Sequence, residues 1–460
     1  MDLVKIKNRL SLFIDSLYFP LFIAALTLIG NLLSCEVAAI SVSLVFVFIG
    51  LCICEDMKFI LSPILFINFT ISSKSLNNGL FQKTGFIIWT IVMVLMLIGF
   101  LIFHFLKYKK SFRPALKSKF FTGYMVLFSV YLLNGLFNSP YKNIGAFLFV
   151  ALMIVMFSFP LFIFGAGIKP SKELKDHFLI IIFLTSVIVM IELFALILFG
   201  DVINDGSLIK EHIVLGWSTW NGIGAILAVC LPVHFYLAIT KKHGYIFFIT
   251  AIISYLAIAL TLSRASLLVA TLLAAICVII GCIKGENVKM FRIATLIAAL
   301  LALIGFIVFW SKISTVFTDY LERGFSDNGR FGLYKDGMKS FFAHPIFGAG
   351  FANVYSIGPV TPEFFAISTP IMCHNTIIQI LASCGVIGLC GYLFHRYQTL
   401  KFLYEQRKSL FSVFSALCVS ALLFTSLLDV HFFITYHILY YATILCVAEK
   451  CAFSDANLFG

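Results

Sequence analysis

The sequence predicts an all-α fold, a polytopic transmembrane helical bundle of about 12 to 14 spans. Of its 460 residues, 61% are apolar and 12% are charged, and the mean hydropathy is +1.04. Such a chain has too little polar surface to cover a soluble globule. About fourteen apolar runs approach the length that crosses a bilayer. The runs near 36–54 and 58–72 are short and could form one broken element, which gives the lower count.

Charge distribution predicts how these spans are oriented. With the N-terminus inside, 23 of the 33 Lys and Arg residues fall on the cytoplasmic side, as the positive-inside rule requires. We expect one integral membrane domain over residues 1–460, with a large outer-face loop at 311–373 inserted between spans. The net charge of +12 then sets topology and attracts membrane lipids. Nucleic-acid binding is disfavoured because no soluble basic domain is present.

The 311–373 loop contains the pattern of an amphipathic helix. Residues 326–330 supply N-cap chemistry, and apolar residues then recur at helical spacing among charged ones. His344-Pro345 and the segment 347–350 are expected to end this helix. Its position suggests a helix lying at the membrane interface. The apolar residues of this face are Phe331, Tyr334, Met338, Phe341 and Phe342.

Charged and titratable groups at the predicted outer face are candidates for chemistry, because charges at membrane depth are costly. Arg264 lies in a tight break between two apolar runs, where it could extend to lipid headgroups or hold a phosphate. Arg330 could simply be solvated, or an anion bound beside it could relieve its conflict with the helix dipole.

Two further positions sit at the mouths of predicted spans. His374 begins an apolar segment directly after the loop, where it could be structural or could accept a proton from an incoming hydroxyl. Asp429 and His431 lie in the short turn between the last two spans, where they could orient another group or cap helices.

The motifs of metal and nucleotide sites are missing from the sequence. No carboxylate cluster or His-rich set suits a divalent cation, so a metal site is not expected. Neither a Walker loop nor a dinucleotide fingerprint occurs, so no cofactor is predicted. The energy for any reaction would come from the substrate or from a gradient.

Four groups of residues, taken in order over about 215–395, resemble the O-antigen ligase and polymerase family of bacterial inner-membrane proteins. The groups are Trp220-Asn221-Gly222 opening a span that reaches Leu231-Pro232; Ser263-Arg264 at a span end; Gly329-Arg330 leading through His344-Pro345 to Gly348-Ala349-Gly350; and His374-Asn375 followed by Gln379, Gly385 and Gly388. The two last glycines would let the helix pack closely against a neighbour.

This resemblance implies an inverting, metal-independent glycosyltransferase whose donor is a glycan linked to undecaprenyl pyrophosphate. The active face would be the periplasmic side of the bacterial cytoplasmic (inner) membrane. His374 would act on the acceptor hydroxyl as base or positioning group, and Arg264 and Arg330 would bind the pyrophosphate. The candidate supporting residues are Asn375, Asn221, Asp429 and His431.

The sequence leaves the branch and the acceptor open. Ile371-Met372-Cys373 stands where the family often has a proline, and Cys384 where it often has an acid. A ligase would use lipid A core as its glycan acceptor, a polymerase a second lipid-linked unit, and some relatives a protein. A transporter of lipid-linked glycan is the alternative from another class. It would need polar residues along its spans, yet most spans are wholly apolar and Glu192 is the clearest internal acid.

Overall fold

The computed structural model describes residues 3–70, 83–138, 144–204, 207–285, 287–308, 310, 330–350 and 373–456. Over these ranges the chain is an all-α bundle, as predicted, with two short antiparallel strand pairs, β1–β2 (Ile203–Asn204 with Ser207–Leu208) and β3–β4 (Val214–Leu215 with Ser218–Thr219). The α-helices are α1 Leu3–Asp15, α2 Tyr18–Leu32, α3 Glu36–Ile53, α4 Leu61–Thr70, α5 Thr84–Lys107, α6 Arg113–Leu116, α7 Phe121–Asn138, α8 Ile144–Ser158, α9 Gly165–Gly167, α10 Lys172–Phe199, α11 Trp220–Thr240, α12 Gly244–Leu260, α13 Arg264–Ile283, α14 Val288–Val308, α15 Arg330–Ala343, α16 Thr376–Glu405, α17 Leu410–Leu427 and α18 Thr435–Ala456.

Eight helices in the described part of the chain are long and apolar enough to cross a membrane. The pair α1–α2, which bends by 76°, would make a ninth if it forms one broken span. The predicted count of about 12 to 14 is reached only if shorter apolar helices also cross. Those are Lys58–Thr70, Phe121–Leu133, Ala151–Gly167 and Gly244–Leu260. The sequence suggested a broken element at 36–54 and 58–72, whereas the strong bend lies between α1 and α2.

Helix α11 forms the centre of the bundle. Its most apolar 18-residue stretch is entirely buried, against 6% for the corresponding stretch of α14. Helices α10, α12, α13 and α17 pack around it. A helix that is apolar on every side is stable only when surrounded by protein or lipid, and α11 is surrounded by protein whereas α14 is left to face lipid. The first turn of α11 is therefore held in a fixed position at one end of the bundle.

A kink in α16 ties the loop segment 345–350 to the bundle. At Gly385 the backbone has φ 63° and ψ −161°, a conformation that essentially only glycine adopts. The kink frees backbone groups of α16, and the loop segment bonds to them. The bonds are Ala349 N to Ala382 O (2.9 Å), Gly350 N to Ser383 O (2.9 Å), Val386 N to Pro345 O (2.9 Å) and Ile387 N to Ile346 O (3.3 Å).

Glycine is required at this junction because two backbones approach closely. A Cβ added to Gly348 would lie 2.3 Å from the Cys384 nitrogen, and one added to Gly385 would lie 2.4 Å from the Ile346 oxygen. The sequence predicted that Gly385 allows close packing. The approach is close, but its partner is the preceding loop and its cause is a helix kink.

Helix α15 is the amphipathic helix that the sequence predicted, and it ends before His344-Pro345. It packs against the start of α16 through Gly337, where an added Cβ would lie 2.7 Å from the Ile378 side chain. Phe331 and Phe342 are exposed. The predicted N-cap at 326–329 lies outside the described residues, and placement at a membrane interface stays a prediction.

Replacing Gly385 with alanine is expected to destabilise the protein by about 1–3 kcal/mol, because the backbone conformation at this position excludes a side chain. Thermal unfolding in detergent would measure the loss as a lower Tm. Gly99→Ala is the matched control, since Gly99 lies within α5 and a Cβ there meets nothing within 4 Å. Equal Tm values for the two variants would contradict this account of the kink.

Candidate active site

The carboxylate of Asp429 is the centre of the candidate site. It lies in the turn between α17 and α18 and is only 5% exposed. His374 Nδ1 lies 2.9 Å from its Oδ1, and Asn221 Nδ2 donates to its Oδ2 at 2.8 Å. The Val430 backbone N–H also donates to Oδ1 at 2.8 Å. One buried carboxylate therefore joins the start of α11, the segment before α16 and the last interhelical turn.

The ionisation of Asp429 determines which nitrogen of His374 is available. Burial raises the pKa of this carboxyl, but the hydrogen bond from His374 and the nearby charges of His431 and His374 outweigh burial and hold the pKa well below its ordinary value. An ionised carboxylate only accepts hydrogen bonds, so Nδ1 carries the hydrogen in the neutral imidazole. The lone pair then lies on Nε2, which has no hydrogen-bond partner among the described residues.

The backbone at His374 is in the left-handed region, with φ 48°. Such conformations in non-glycine residues occur often at functional sites, where neighbouring contacts hold them. Here Asn375 caps α16 by accepting from two backbone N–H groups, and Cys373 N donates to Gln379 Oε1 at 2.8 Å. The Tyr334 hydroxyl also donates to the His374 carbonyl at 3.3 Å. The His374 side chain remains 39% exposed, so a substrate can reach it.

Arg330 connects α15 to the same turn. One of its terminal nitrogens donates to the Leu428 carbonyl at 2.8 Å, and the other lies 4.0 Å from Asp429 Oδ2. Asn375 adds a parallel link through its Nδ2, which donates to the Leu427 carbonyl at 2.8 Å. The loop helix and α16 are thus both attached to residues 427–429.

Arg264 lies at the same end of the bundle. It is the first residue of α13 and is exposed, and the chain enters this helix through Leu262, which has φ 54°. Two residues further on, Ser266 Oγ lies 3.5 Å from the Asn221 carbonyl. The structure therefore places Arg264 near the first turn of α11, which also supplies a hydrogen bond to Asp429.

Lys210 is a third cation that the sequence analysis did not single out. It is half-buried in the segment between α10 and α11, with its Nζ 5.4 Å from the centre of the Trp220 ring. Burial and the positive charges of Arg264 and Arg330 lower its pKa. A lone lysine in a polar loop looks like an ordinary solvated residue, and only folding brings it near the two arginines.

His431 occupies a different environment from Asp429. It is buried, its ring centre lies 4.8 Å from that of His437, and its Nδ1 has no hydrogen-bond partner within the described ranges. Burial lowers the pKa of His431, although the Asp429 carboxylate opposes the shift. The sequence grouped Asp429 and His431 as one polar pair. In the structure Asp429 is hydrogen-bonded to His374, and the His431 ring lies beside that of His437 at an interplanar angle of 40°.

The cluster as a whole is suited to an anion. Three cations lie close enough for their charges to interact, and the one buried carboxylate among them is already engaged by His374 and Asn221. Among the described residues no group of three or more His, Cys, Asp or Glu side chains is placed to hold a metal ion. Metal independence stays a prediction.

Residues 248–393 match the sequence model of the family described as O-antigen ligase. This segment belongs to the O-antigen ligase family. It covers about a third of the chain and contains Arg264, Arg330 and His374. Lys210, Asn221 and Asp429 lie outside it and join the site through folding. No curated protein matches the chain.

The pH dependence of stability tests the buried carboxylate. A carboxyl whose pKa is lowered by folding stabilises the protein above the unfolded pKa of about 4, and this contribution is lost as the pH falls below that value. Asp429→Asn should therefore lower the Tm at pH 7, and the difference from wild type should shrink between pH 4 and pH 3, since protonation removes the wild-type advantage. Thermal unfolding of both proteins at pH 7, 5, 4 and 3 measures this difference in Tm.

The matched control is Asp336→Asn, which removes a carboxylate that pairs with Lys339 at 3.3 Å on the surface of α15. Exposed pairs contribute little, so its Tm should stay close to wild type at every pH. An Asp429→Asn difference that is constant from pH 7 to pH 3 would contradict the assignment of an ionised, stabilising carboxylate.

Proposed function

We propose that this protein transfers a glycan from an undecaprenyl pyrophosphate carrier to a sugar hydroxyl of lipid A core, on the periplasmic face of the bacterial inner membrane. Ligase- or polymerase-type glycan transfer follows from the family. The more specific proposal of a base-catalysed transfer from a pyrophosphate carrier rests on the Asp429–His374 pair beside Lys210, Arg264 and Arg330. The whole chain would act as one membrane domain, with the 311–373 loop over its active face.

His374 would act as the general base. Its Nε2 takes the proton of the acceptor hydroxyl as that oxygen attacks C1 of the donor's first sugar. Asp429 acts through Nδ1, where it fixes the tautomer and ring orientation and stabilises the imidazolium that forms. The new C1–O bond forms on the face opposite the leaving group, so the configuration at C1 inverts.

The cations would hold the leaving group. As the C1–O bond to the carrier breaks, its electron pair moves to the pyrophosphate, and Arg264, Arg330 and Lys210 stabilise the developing charge. The Arg330 guanidinium contacts the Leu428 carbonyl and lies 4.0 Å from Asp429, which would keep the proposed base and the proposed anion site next to each other. Charge stabilisation of this kind removes the need for a metal ion or another cofactor.

The environment of Glu192 supports glycan transfer over transport. This acid accepts hydrogen bonds from the Asn31 amide and, at 2.8 Å, from the Trp217 indole. Its carboxylate is thus engaged in packing between α2, α10 and the segment before α11. An acid that lines a transport pathway would instead need to exchange its partners with a moving substrate.

Transfer to a defined acceptor tests the function. Purified protein in detergent with EDTA is mixed with a carrier-linked glycan and either lipid A core or a second carrier-linked unit, and product is measured by gel shift or mass spectrometry. We expect product on lipid A core, and a fall of about 10²–10⁴-fold in His374→Ala, the usual contribution of a general base.

His344→Ala is the matched control, since His344 is an exposed histidine just after α15. Product only on the second carrier-linked unit would make the protein a polymerase. Absence of product on both acceptors, together with movement of the glycan across proteoliposome membranes, would contradict glycan transfer and support transport.

Lys210→Gln tests whether Lys210 contributes to donor binding without stabilising the fold. Removing this charge relieves repulsion among the three cations, so the Tm without donor should be unchanged or higher. The same change should reduce kcat/KM for the carrier-linked donor by about tenfold, the loss expected for one charge-assisted hydrogen bond. Lys335→Gln, an exposed lysine of α15, is the control. A wild-type kcat/KM in Lys210→Gln would remove Lys210 from the donor site.

A further inference from the structure

A cavity of about 520 Å³ lies at the end of the bundle opposite Asp429. It is enclosed by α6, the start of α7, residues 161–170 and the second half of α18. Helix α18 begins close to Asp429, and Glu449 lies fourteen residues beyond Thr435, which is about 20 Å along a helix. This end corresponds to the predicted cytoplasmic side, and no step of the proposed reaction involves it.

The cavity has an excess of positive charge. Arg113, Lys117, Lys169 and Lys450 line it together with a single acid, Glu449. That acid is already engaged, since its two oxygens accept hydrogen bonds from the Ser118 hydroxyl at 2.7 Å and the Lys119 N–H at 2.5 Å. One carboxylate offsets at most one of the four positive charges, so the cavity keeps an excess of positive charge.

The four cations differ in how they are engaged. Lys169 pairs with Glu55 at 2.7 Å, and Lys450 donates to two backbone carbonyls of residues 165–168. The side chains of Arg113 and Lys117 have no hydrogen-bond or ion-pair partner in the described part of the chain. Two cations at the rim are thus available to an anion.

Tyr124 also lines the cavity, but its side chain is only 2% exposed. Its hydroxyl is buried and has no hydrogen-bond partner among the described residues. The hydroxyl is therefore closed to a ligand, and Tyr124 contributes to the wall of the cavity.

The remaining wall is apolar. Phe120, Leu161, Ala442 and Cys446 face the cavity, and its volume lies in the range of about 300–1,000 Å³ typical of small-molecule sites. A ligand that satisfies both features carries an anionic group and a hydrocarbon part. Inorganic phosphate would satisfy only the first feature.

We propose that this cavity binds an anionic glycerophospholipid of the adjacent leaflet. Its phosphate contacts Arg113 and Lys117, and an acyl chain lies along the apolar wall. The bound lipid joins α6, α7 and α18, so it stabilises this end of the bundle independently of catalysis.

Lipid-dependent thermal stability tests the proposal. The delipidated full-length protein in detergent is mixed with phosphatidylglycerol, with phosphatidylcholine of the same acyl chains, or with inorganic phosphate, and the Tm is measured. Phosphatidylglycerol should raise the Tm by several degrees more than either of the other two, because binding to the folded state shifts the unfolding equilibrium. An equal shift with inorganic phosphate would overturn the lipid assignment.

Two double variants test whether the Tm shift caused by phosphatidylglycerol arises from binding in this cavity. Arg113→Gln with Lys117→Gln should lose at least half of the phosphatidylglycerol shift. The matched pair Lys242→Gln with Lys284→Gln removes two exposed charges at the same end of the bundle but away from the cavity. This double variant should keep the full phosphatidylglycerol shift. Equal shifts in the two double variants would overturn the proposal.

Discussion

The buried carboxylate of Asp429 is the constraint on which the candidate site depends. A charge withdrawn from water must be compensated by hydrogen bonds and opposite charges, and leaving it unpaired would cost several kcal/mol. Its partners Asn221, His374 and Arg330 come from three segments far apart in sequence. Satisfying this one anion therefore fixes the relative positions of α11, α15 and α16, and the tautomer of the candidate base follows from the same bonds.

The junction between residues 345–350 and the kink at Gly385 supports that arrangement from the other side of the loop. It consists of backbone hydrogen bonds, and contact between two main chains leaves no room for a Cβ at Gly348 or Gly385. Because the junction follows α15 directly and binds α16 about two to three turns below its start, it limits how far Arg330 can move from His374. Base and cation are thus connected by main chain as well as by Asp429.

Positive charge is used differently at the two ends of the bundle. At the candidate site burial and the nearby charges of Arg264 and Arg330 lower the pKa of Lys210, and an anionic substrate would relieve the repulsion between Lys210 and the arginines. At the opposite end Lys169 pairs with Glu55 and Lys450 donates to backbone carbonyls, whereas Arg113 and Lys117 remain available beside the cavity. The positive-inside rule counts charges on each side, but function depends on which of them folding brings together.

By itself the sequence determined the membrane helical bundle, the position of α15 and the candidates His374, Arg264 and Arg330. These follow from local properties, namely the length of apolar runs, helix periodicity and the cost of charge near a membrane. Only the tertiary structure decided that Asp429 bonds His374 across 55 positions, that the His431 ring lies beside His437, and that Lys210 comes near the arginines. Such contacts depend on how helices pack, which turns distant positions into neighbours without leaving a local pattern in the chain.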